Sequence, residues 1–219
     1  MMSLRKFAKM AGWSLILMAI ISGISIGYAY GEVYKTLQME TLTNNGEETL
    51  KLFHILIWGI SVILILDLIV AYALYRFFLF DNKPLSMLSA FFRVGYTFIF
   101  AIAFYFLLRS FPILLTNKKV AIDNFDRFQF IWTCGLVVFG LHLIGIGILM
   151  KLHKKIPGIL WLITIIAGVS YAVLHLLKIT TPSSKQLITV LQLILVLPMM
   201  AGELGLAIWL IIKGGKASY

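Results

Sequence analysis

The chain has 219 residues, of which 61% are hydrophobic and only 13% are charged, with a net charge of +10. Soluble globular domains carry about 45–50% apolar and about 25% charged residues, so this composition excludes an ordinary soluble domain. It indicates a polytopic membrane protein. One cysteine, Cys134, allows no intrachain disulfide. No Walker loop, nucleophile elbow, glycine-rich dinucleotide turn or CxxC pair occurs in the sequence.

Six stretches are long and apolar enough to cross a bilayer, which takes about 20 mainly apolar residues in a helix. In chain order they are Phe7–Gly31, Leu52–Phe78, Leu85–Leu108, Phe128–Met150, Gly158–Leu177 and Leu187–Ile212. The longest connection, about Glu32–Thr49, is acidic and has a turn signal at Asn44-Asn45-Gly46. The sequence therefore predicts an all-α transmembrane bundle that forms a single integral membrane domain over residues 1–219.

Six spans place both termini on one side of the membrane, and the Lys/Arg distribution indicates which side that is. With the termini inside, the inner segments hold 11 of the 19 basic residues and one acidic residue, Asp81, whereas the outer segments hold eight basic and six acidic residues. We therefore expect a multi-pass protein of the cell (cytoplasmic) membrane with cytoplasmic termini. We expect its basic face to contact anionic lipids, and we expect no nucleic-acid partner.

Small residues and a weak internal repeat give further hints. Gly23, Gly27 and Gly31 form a stripe suited to close helix contact, and thus to an oligomer, although glycines scattered by composition are the alternative. The segment from Ile20 to Ser25 matches the segment from Ile165 to Ser170. This match suggests three helical hairpins in parallel orientation. Apolar segments also match one another by chance, so coincidence is the alternative.

Four ionisable residues, Asp67, Arg93, His142 and Glu203, lie within spans. Such groups are costly in lipid and normally face the bundle interior. Each is nine or ten residues, or about 14–15 Å of helical rise, from a basic residue at the inner end of its span. We expect these four residues to converge near mid-membrane as a ligand-binding cluster, with Asp67 and Arg93 as an ion pair. A pair that only locks the bundle and a hydrogen-bonded core histidine are the alternatives.

Two metal hypotheses follow from the ionisable residues. Asp67, His142 and Glu203 at one depth could bind a divalent metal, although no spacing such as H-E-x-x-H supports it. His54 and His175 each lie three residues inside a lysine, so their rings could share a depth and ligate a b-type haem. Histidines at the membrane interface are the alternative. Aromatic residues near span ends are interpreted as interfacial anchors: Tyr28, Tyr30, Trp132 and Trp161.

Pro198 is the only proline within a span, and it lies five residues before Glu203. A proline inside a helix frees a carbonyl, here that of Ile194, and can kink the helix. Transporters bind solutes at broken helices near the middle of the membrane. The position of Pro198 therefore favours a solute-binding role for the region around Glu203.

Several short runs together resemble a known bacterial family. They are Ala71 to Arg76, Phe92-Arg93, Phe139-Gly140-Leu141-His142-Leu143, Ile156-Pro157-Gly158, and Gly202-Glu203-Leu204 followed by Trp209-Leu210 and Lys213-Gly214. In these runs, over nearly the whole chain, the sequence resembles domain of unknown function 4386, a family of uncharacterised multi-pass membrane proteins. The resemblance implies a six-span inner-membrane protein, draws attention to His142 and Glu203, and supplies no activity.

Three functional hypotheses remain open at this point. The first is a protein that binds, transports or senses a small molecule or lipid at the polar cluster. The second is an intramembrane enzyme in which His142 and Glu203 act as base and acid or hold a metal. The third is a structural or accessory membrane subunit. A cavity that reaches His142 favours the enzyme, and a closed, dry core favours the accessory subunit.

The predicted orientation can be tested by cysteine labelling. In a variant lacking Cys134, single cysteines replace Ser3 or Asn45, and a membrane-impermeant maleimide is added to intact cells. We expect labelling at position 45 only, because six spans with internal termini place position 3 inside. Labelling of both positions from the same side would contradict the topology.

Overall fold

The computed structural model describes residues 3–39 and 46–216, which form helices and no strand. Six helices are long and apolar enough to cross a membrane. We number them α1 Leu4–Gln38, α2 Gly46–Phe78, α3 Lys83–Ser110, α4 Lys118–Leu152, α5 Gly158–Thr180 and α6 Lys185–Ile212. The all-α fold with six spans is therefore confirmed, and the chain is a multi-pass membrane protein.

The helices extend beyond the predicted spans because polar turns continue them outside the apolar stretches. The α4 helix starts at Lys118, ten residues before the predicted Phe128, after Asn117 whose side chain accepts a hydrogen bond from Val120 N at 3.3 Å. In the same way Asn82 caps α3, accepting from Leu85 N at 3.0 Å. Much of the predicted acidic loop is helical, and Asn44 and Asn45 lie outside the described residues. Asparagine caps thus set helix starts that hydropathy alone misses.

Each spanning helix packs against its neighbours in sequence, and α1 also packs against α6. The bundle is therefore a ring of alternating up and down helices, closed by the first and the last. The three predicted hairpins, α1–α2, α3–α4 and α5–α6, are present, but neighbouring hairpins pack against each other as well. We call the face with both ends of the described chain the terminal face, and the opposite face the far face.

The ring is closed at the terminal face by an arginine. The Arg5 guanidinium, at the start of α1, donates hydrogen bonds to the carbonyls of Leu210 at 3.2 Å, Gly214 at 2.7 Å and Ile211. These carbonyls lie in the last turn of α6 and just beyond it, where helix carbonyls lack intrahelical partners and a cation is favourable. Gly215 follows with a positive φ of 65°, which lets the chain turn away from the helix.

Close helix contacts depend on glycines other than the predicted stripe. A Cβ added to Gly140 on α4 would lie 2.6 Å from the carbonyl oxygen of Gly168 on α5, so these two backbones nearly touch. In contrast, a Cβ added to Gly23 or Gly31 would meet no atom within 4 Å. Gly23 and Gly168 occupy equivalent places in the internal repeat, yet only Gly168 has a close helix neighbour. Contact of the stripe with a second copy stays a prediction.

The outer surface of the ring is apolar, as a lipid-facing surface must be. Large hydrophobic side chains on every helix are exposed, among them Trp13, Trp58, Phe91, Phe130, Ile159 and Leu193. Inside the ring, one buried apolar cluster fills the half near the terminal face. We call it the terminal plug; it includes Phe7, Leu15, Leu74, Phe77, Phe78, Ile146, Trp209 and Leu210.

Glycine-to-alanine substitutions should change stability with opposite signs at two sites. Alanine favours a helix over glycine by about 1 kcal/mol, so Gly95→Ala, where an added Cβ meets nothing within 4 Å, should hold or raise the melting temperature in detergent. Gly140→Ala should lower it, because overpacking costs about 1–3 kcal/mol. Equal melting temperatures for the two variants would show that the α4–α5 contact is looser than described.

Candidate functional site

The buried centre of the ring holds an ion pair between consecutive helices. Arg93 Nη2 on α3 lies 2.6 Å from Asp67 Oδ1 on α2, and the two side chains are 1% and 0% exposed. Both lie about 15 Å along their helices from the terminal face, as the helical rise requires. Asp67 Oδ2 has no hydrogen-bond partner among the described residues. The pair is therefore buried, with one carboxylate oxygen unsatisfied by the protein.

His142 on α4 is held on the other side of the guanidinium. Its Nε2 lies 3.2 Å from Arg93 Nη1, and its Nδ1 lies 2.9 Å from the carbonyl oxygen of Ser89. An arginine can only donate, so Nε2 accepts and the proton is on Nδ1, which donates to Ser89. Ser89 Oγ, 3.0 Å from the same Nδ1, donates in turn to the His142 carbonyl at 3.2 Å. Both ring nitrogens thus have partners within the protein.

Glu203 on α6 is connected to this cluster through aromatic rings and not by a direct ion pair. Its Oε1 accepts a hydrogen bond from the Tyr171 hydroxyl on α5 at 2.8 Å. The Tyr171 ring packs edge-on against Phe139 with a centroid separation of 5.1 Å. Phe139 in turn faces the Arg93 guanidinium at 5.5 Å and the His142 ring at 5.8 Å. Phe139 therefore contacts Arg93 and His142 directly, and Glu203 is linked to it only through Tyr171.

A cavity of about 610 Å³ extends from this cluster towards the far face. All six helices contribute to its wall, and Asp67 and Glu203 lie at its inner end. Aromatic side chains form much of the remaining wall: Tyr30, Tyr96, Phe100, Trp132, Phe139 and Tyr171. Lys178, near the end of α5, and Gln192, in the first half of α6, line the part nearest the far face. The terminal plug closes the other end, so the cavity is a blind one.

The α1 and α6 helices diverge beside the cavity, which leaves a gap between them. The α1 contacts with α6 come from its first part, Leu4–Ser22, whereas its π-helical segment Gly23–Tyr30 packs on α2. Beyond that segment α1 leans towards α4, where the Tyr34 hydroxyl donates to Asp126 Oδ1 at 2.6 Å. On the α6 side, the wall residues Val196 and Met200 are 38% and 54% exposed. This gap lies within the apolar part of both helices, the part that is long and apolar enough to span a membrane.

The residues of the two predicted metal sites lie in different environments. His54 is exposed on α2, donates from Nδ1 to the Leu50 carbonyl at 2.7 Å, and packs edge-on against Phe111. His175 lines the cavity on α5, with Nδ1 2.8 Å from the Tyr171 carbonyl. Among residues 3–39 and 46–216, no group of three or more His, Cys, Asp or Glu is placed to hold a metal ion. Asp67 and His142 instead flank the guanidinium from two sides.

Sequence reasoning missed several residues of the site. Phe139 begins one of the family-like runs and Tyr171 directly follows the repeat segment that ends at Ser170, but nothing in their spacing shows that they join Glu203 to Arg93. Trp132 and Tyr30, both predicted as interfacial anchors, line the cavity, and Trp132 Nε1 donates to the Tyr96 hydroxyl at 3.4 Å. No sequence signal marks Trp132 for the cavity wall, because it lies only four residues after the predicted span start at Phe128.

Comparisons with known proteins assign a family and no activity. The family described as "Domain of unknown function (DUF4386)" matches residues 10–214. A protein of Archaeoglobus fulgidus, named only as an uncharacterized protein, is 31% identical over 160 residues, which cover 73% of this chain and 84% of that protein. No solved structure matches the chain.

Substitutions at the two carboxylates should separate their roles. Asp67→Asn or Arg93→Gln leaves a buried group of the opposite charge uncompensated, which costs about 3–5 kcal/mol in buried pairs. Each should therefore lower the melting temperature strongly in detergent, and the double variant should lose less than the sum. Glu203→Gln should stay close to wild type, because its described partner is a neutral hydroxyl. A large drop for Glu203→Gln that is non-additive with Arg93→Gln would make Glu203 a second partner of that arginine.

Proposed function

This chain belongs to the DUF4386 family, a domain of unknown function, and we propose that it binds an amphipathic small molecule or lipid in its central cavity. The observation that carries the proposal is the blind cavity of about 610 Å³ at the centre of the ring, with a polar inner end and apolar walls that are partly aromatic. Ligand pockets in proteins are commonly about 300–1,000 Å³ and have mostly apolar linings with a few placed polar groups.

The position of the opening supports a ligand that arrives from the bilayer. An apolar molecule dissolved in lipid meets the gap between α1 and α6 without crossing water. Its polar end can then reach Glu203 and Tyr171, which are hydrogen-bonded to each other at 2.8 Å at the inner end of the cavity. The terminal plug separates this end from the terminal face. Binding or sensing needs no further movement, whereas transport would require the plug to open.

The geometry favours binding over the two rival hypotheses. An enzyme that uses His142 needs its ring in contact with a substrate, but the residue is 1% exposed, with Ser89 and Arg93 at its nitrogens. His142 is also not part of the cavity wall. An accessory subunit with a closed core has no need of a large central cavity. Because the buried imidazole of His142 accepts a hydrogen bond from Arg93, its role is better explained as holding that arginine in position.

We further propose that the protein resides in the cytoplasmic membrane with the terminal face inside. The support is the charge bias, because 11 of the 19 basic residues fall on the terminal side or in its half of the spans. Anionic lipid headgroups at that face would then contact lysines such as Lys6, Lys154 and Lys155.

A large side chain placed in the cavity should abolish lipid binding. We expect native mass spectrometry of the wild type, after passage through phosphatidylethanolamine–phosphatidylglycerol vesicles and transfer to dodecyl maltoside, to show a bound lipid. Gly23→Trp should remove it, because Gly23 lines the cavity and has open space beside it.

Gly95→Trp is the matched control, since Gly95 also has open space beside it but is not part of the cavity wall. It should retain the lipid of the wild type. The same bound population in Gly23→Trp as in the other two proteins would contradict the proposal, because the lipid would then bind elsewhere.

A further inference from the structure

We infer that the cavity selects an organic cation, namely an amphipathic molecule whose positive head seats between Glu203 and the aromatic wall. This inference rests on the proposed function and adds the charge of the ligand to it. Two carboxylates, Asp67 and Glu203, lie at the inner end of the cavity, and Arg93 is bound to Asp67 at 2.6 Å.

The second carboxylate has no cation of its own in the described part of the chain. Glu203 Oε1 is bonded to the Tyr171 hydroxyl, and Arg93 is already divided between Asp67 and His142. Asp67 is fully buried, lines the cavity and keeps its Oδ2 without a hydrogen-bond partner. Buried charges are normally paired. A cationic ligand would supply the missing charge and would approach two incompletely satisfied carboxylates.

The wall above the carboxylates suits a diffuse cation. Tyr96, Phe100, Phe139 and Tyr171 belong to it, and aromatic faces attract cations within about 6 Å of the ring centre. One such contact already exists, since the Arg93 guanidinium carbon is 5.5 Å from the Phe139 centroid. Aromatic rings combined with a carboxylate are the chemistry that recognises quaternary and alkylated ammonium groups. A small metal ion fits less well, because it needs several oxygen ligands.

The charge at the other end of the cavity also favours a cationic head at the inner end. Lys178 lies near the far face on α5, separated from Tyr171 by seven residues, or about 10 Å of helical rise. A cationic head is therefore repelled at the far end and attracted at the inner end. The apolar body of the ligand would lie in the gap between α1 and α6, against lipid.

The test uses two probes of nearly the same shape and opposite charge, tetraphenylphosphonium and tetraphenylborate. Binding to purified protein in dodecyl maltoside is measured by equilibrium dialysis, with Gly23→Trp as the blank for partition into micelles. We expect the phosphonium to bind the wild type at least about tenfold more tightly than the borate does. Glu203→Gln should lose about tenfold or more of the phosphonium affinity, while Glu203→Asp, which keeps the charge, should retain the preference.

Glu48→Gln is the matched control, because Glu48 is an exposed carboxylate near the start of α2, and it should bind as the wild type does. Melting temperatures without probe show that the variants are folded. Equal affinity for both probes, or phosphonium affinity unchanged in Glu203→Gln, would overturn the cation preference while leaving cavity binding intact. Equal binding of the phosphonium to wild type and Gly23→Trp would overturn both proposals.

Discussion

The burial of one arginine in the middle of the membrane determines much of this structure. A guanidinium at that depth is costly without polar partners, and Arg93 places its two terminal nitrogens against two neighbouring helices, Nη2 on Asp67 and Nη1 on His142. His142 Nε2 can accept because the ring proton is on Nδ1, which donates it in a hydrogen bond to the Ser89 carbonyl. The requirement therefore fixes the relative height and rotation of α2, α3 and α4. The remaining helices, α1, α5 and α6, complete the ring through packing and leave the cavity beside this rigid half.

The sequence predicts heights in this fold far better than it predicts rotations. Counting residues from the basic ends of the spans places Asp67, Arg93, His142 and Glu203 at one level, because each residue of a helix adds a fixed rise. Whether side chains at one level touch depends on the rotation of each helix and on ring order, which hydropathy does not encode. The link through Phe139 and Tyr171, and the inward position of Trp132, therefore became visible only in the structure.

Glycines show why a pattern of small residues is ambiguous in membrane helices. Gly140 and Gly168 bring two backbones together, whereas Gly23 leaves open space at the edge of a cavity. Both uses need the absence of a side chain, so both produce the same spacing in the sequence. The π-helical segment Gly23–Tyr30 adds a further difference. Such segments are rare in proteins, and those that occur are frequently at functional sites. The internal repeat thus equates segments that the fold uses differently.

The contact of Arg5 with the end of α6 has a consequence for biosynthesis. A helix that packs on its predecessor can do so as soon as it enters the membrane, and this holds for every consecutive pair of the ring. The first helix must instead wait for α6, because the carbonyls of Leu210 and Gly214 exist only after α6 has been synthesised. Insertion therefore leaves an open arc of helices until α6 enters the membrane. Of the contacts within the ring, the one between α1 and α6 thus closes last, and it is also the contact beside which these two helices separate along the cavity.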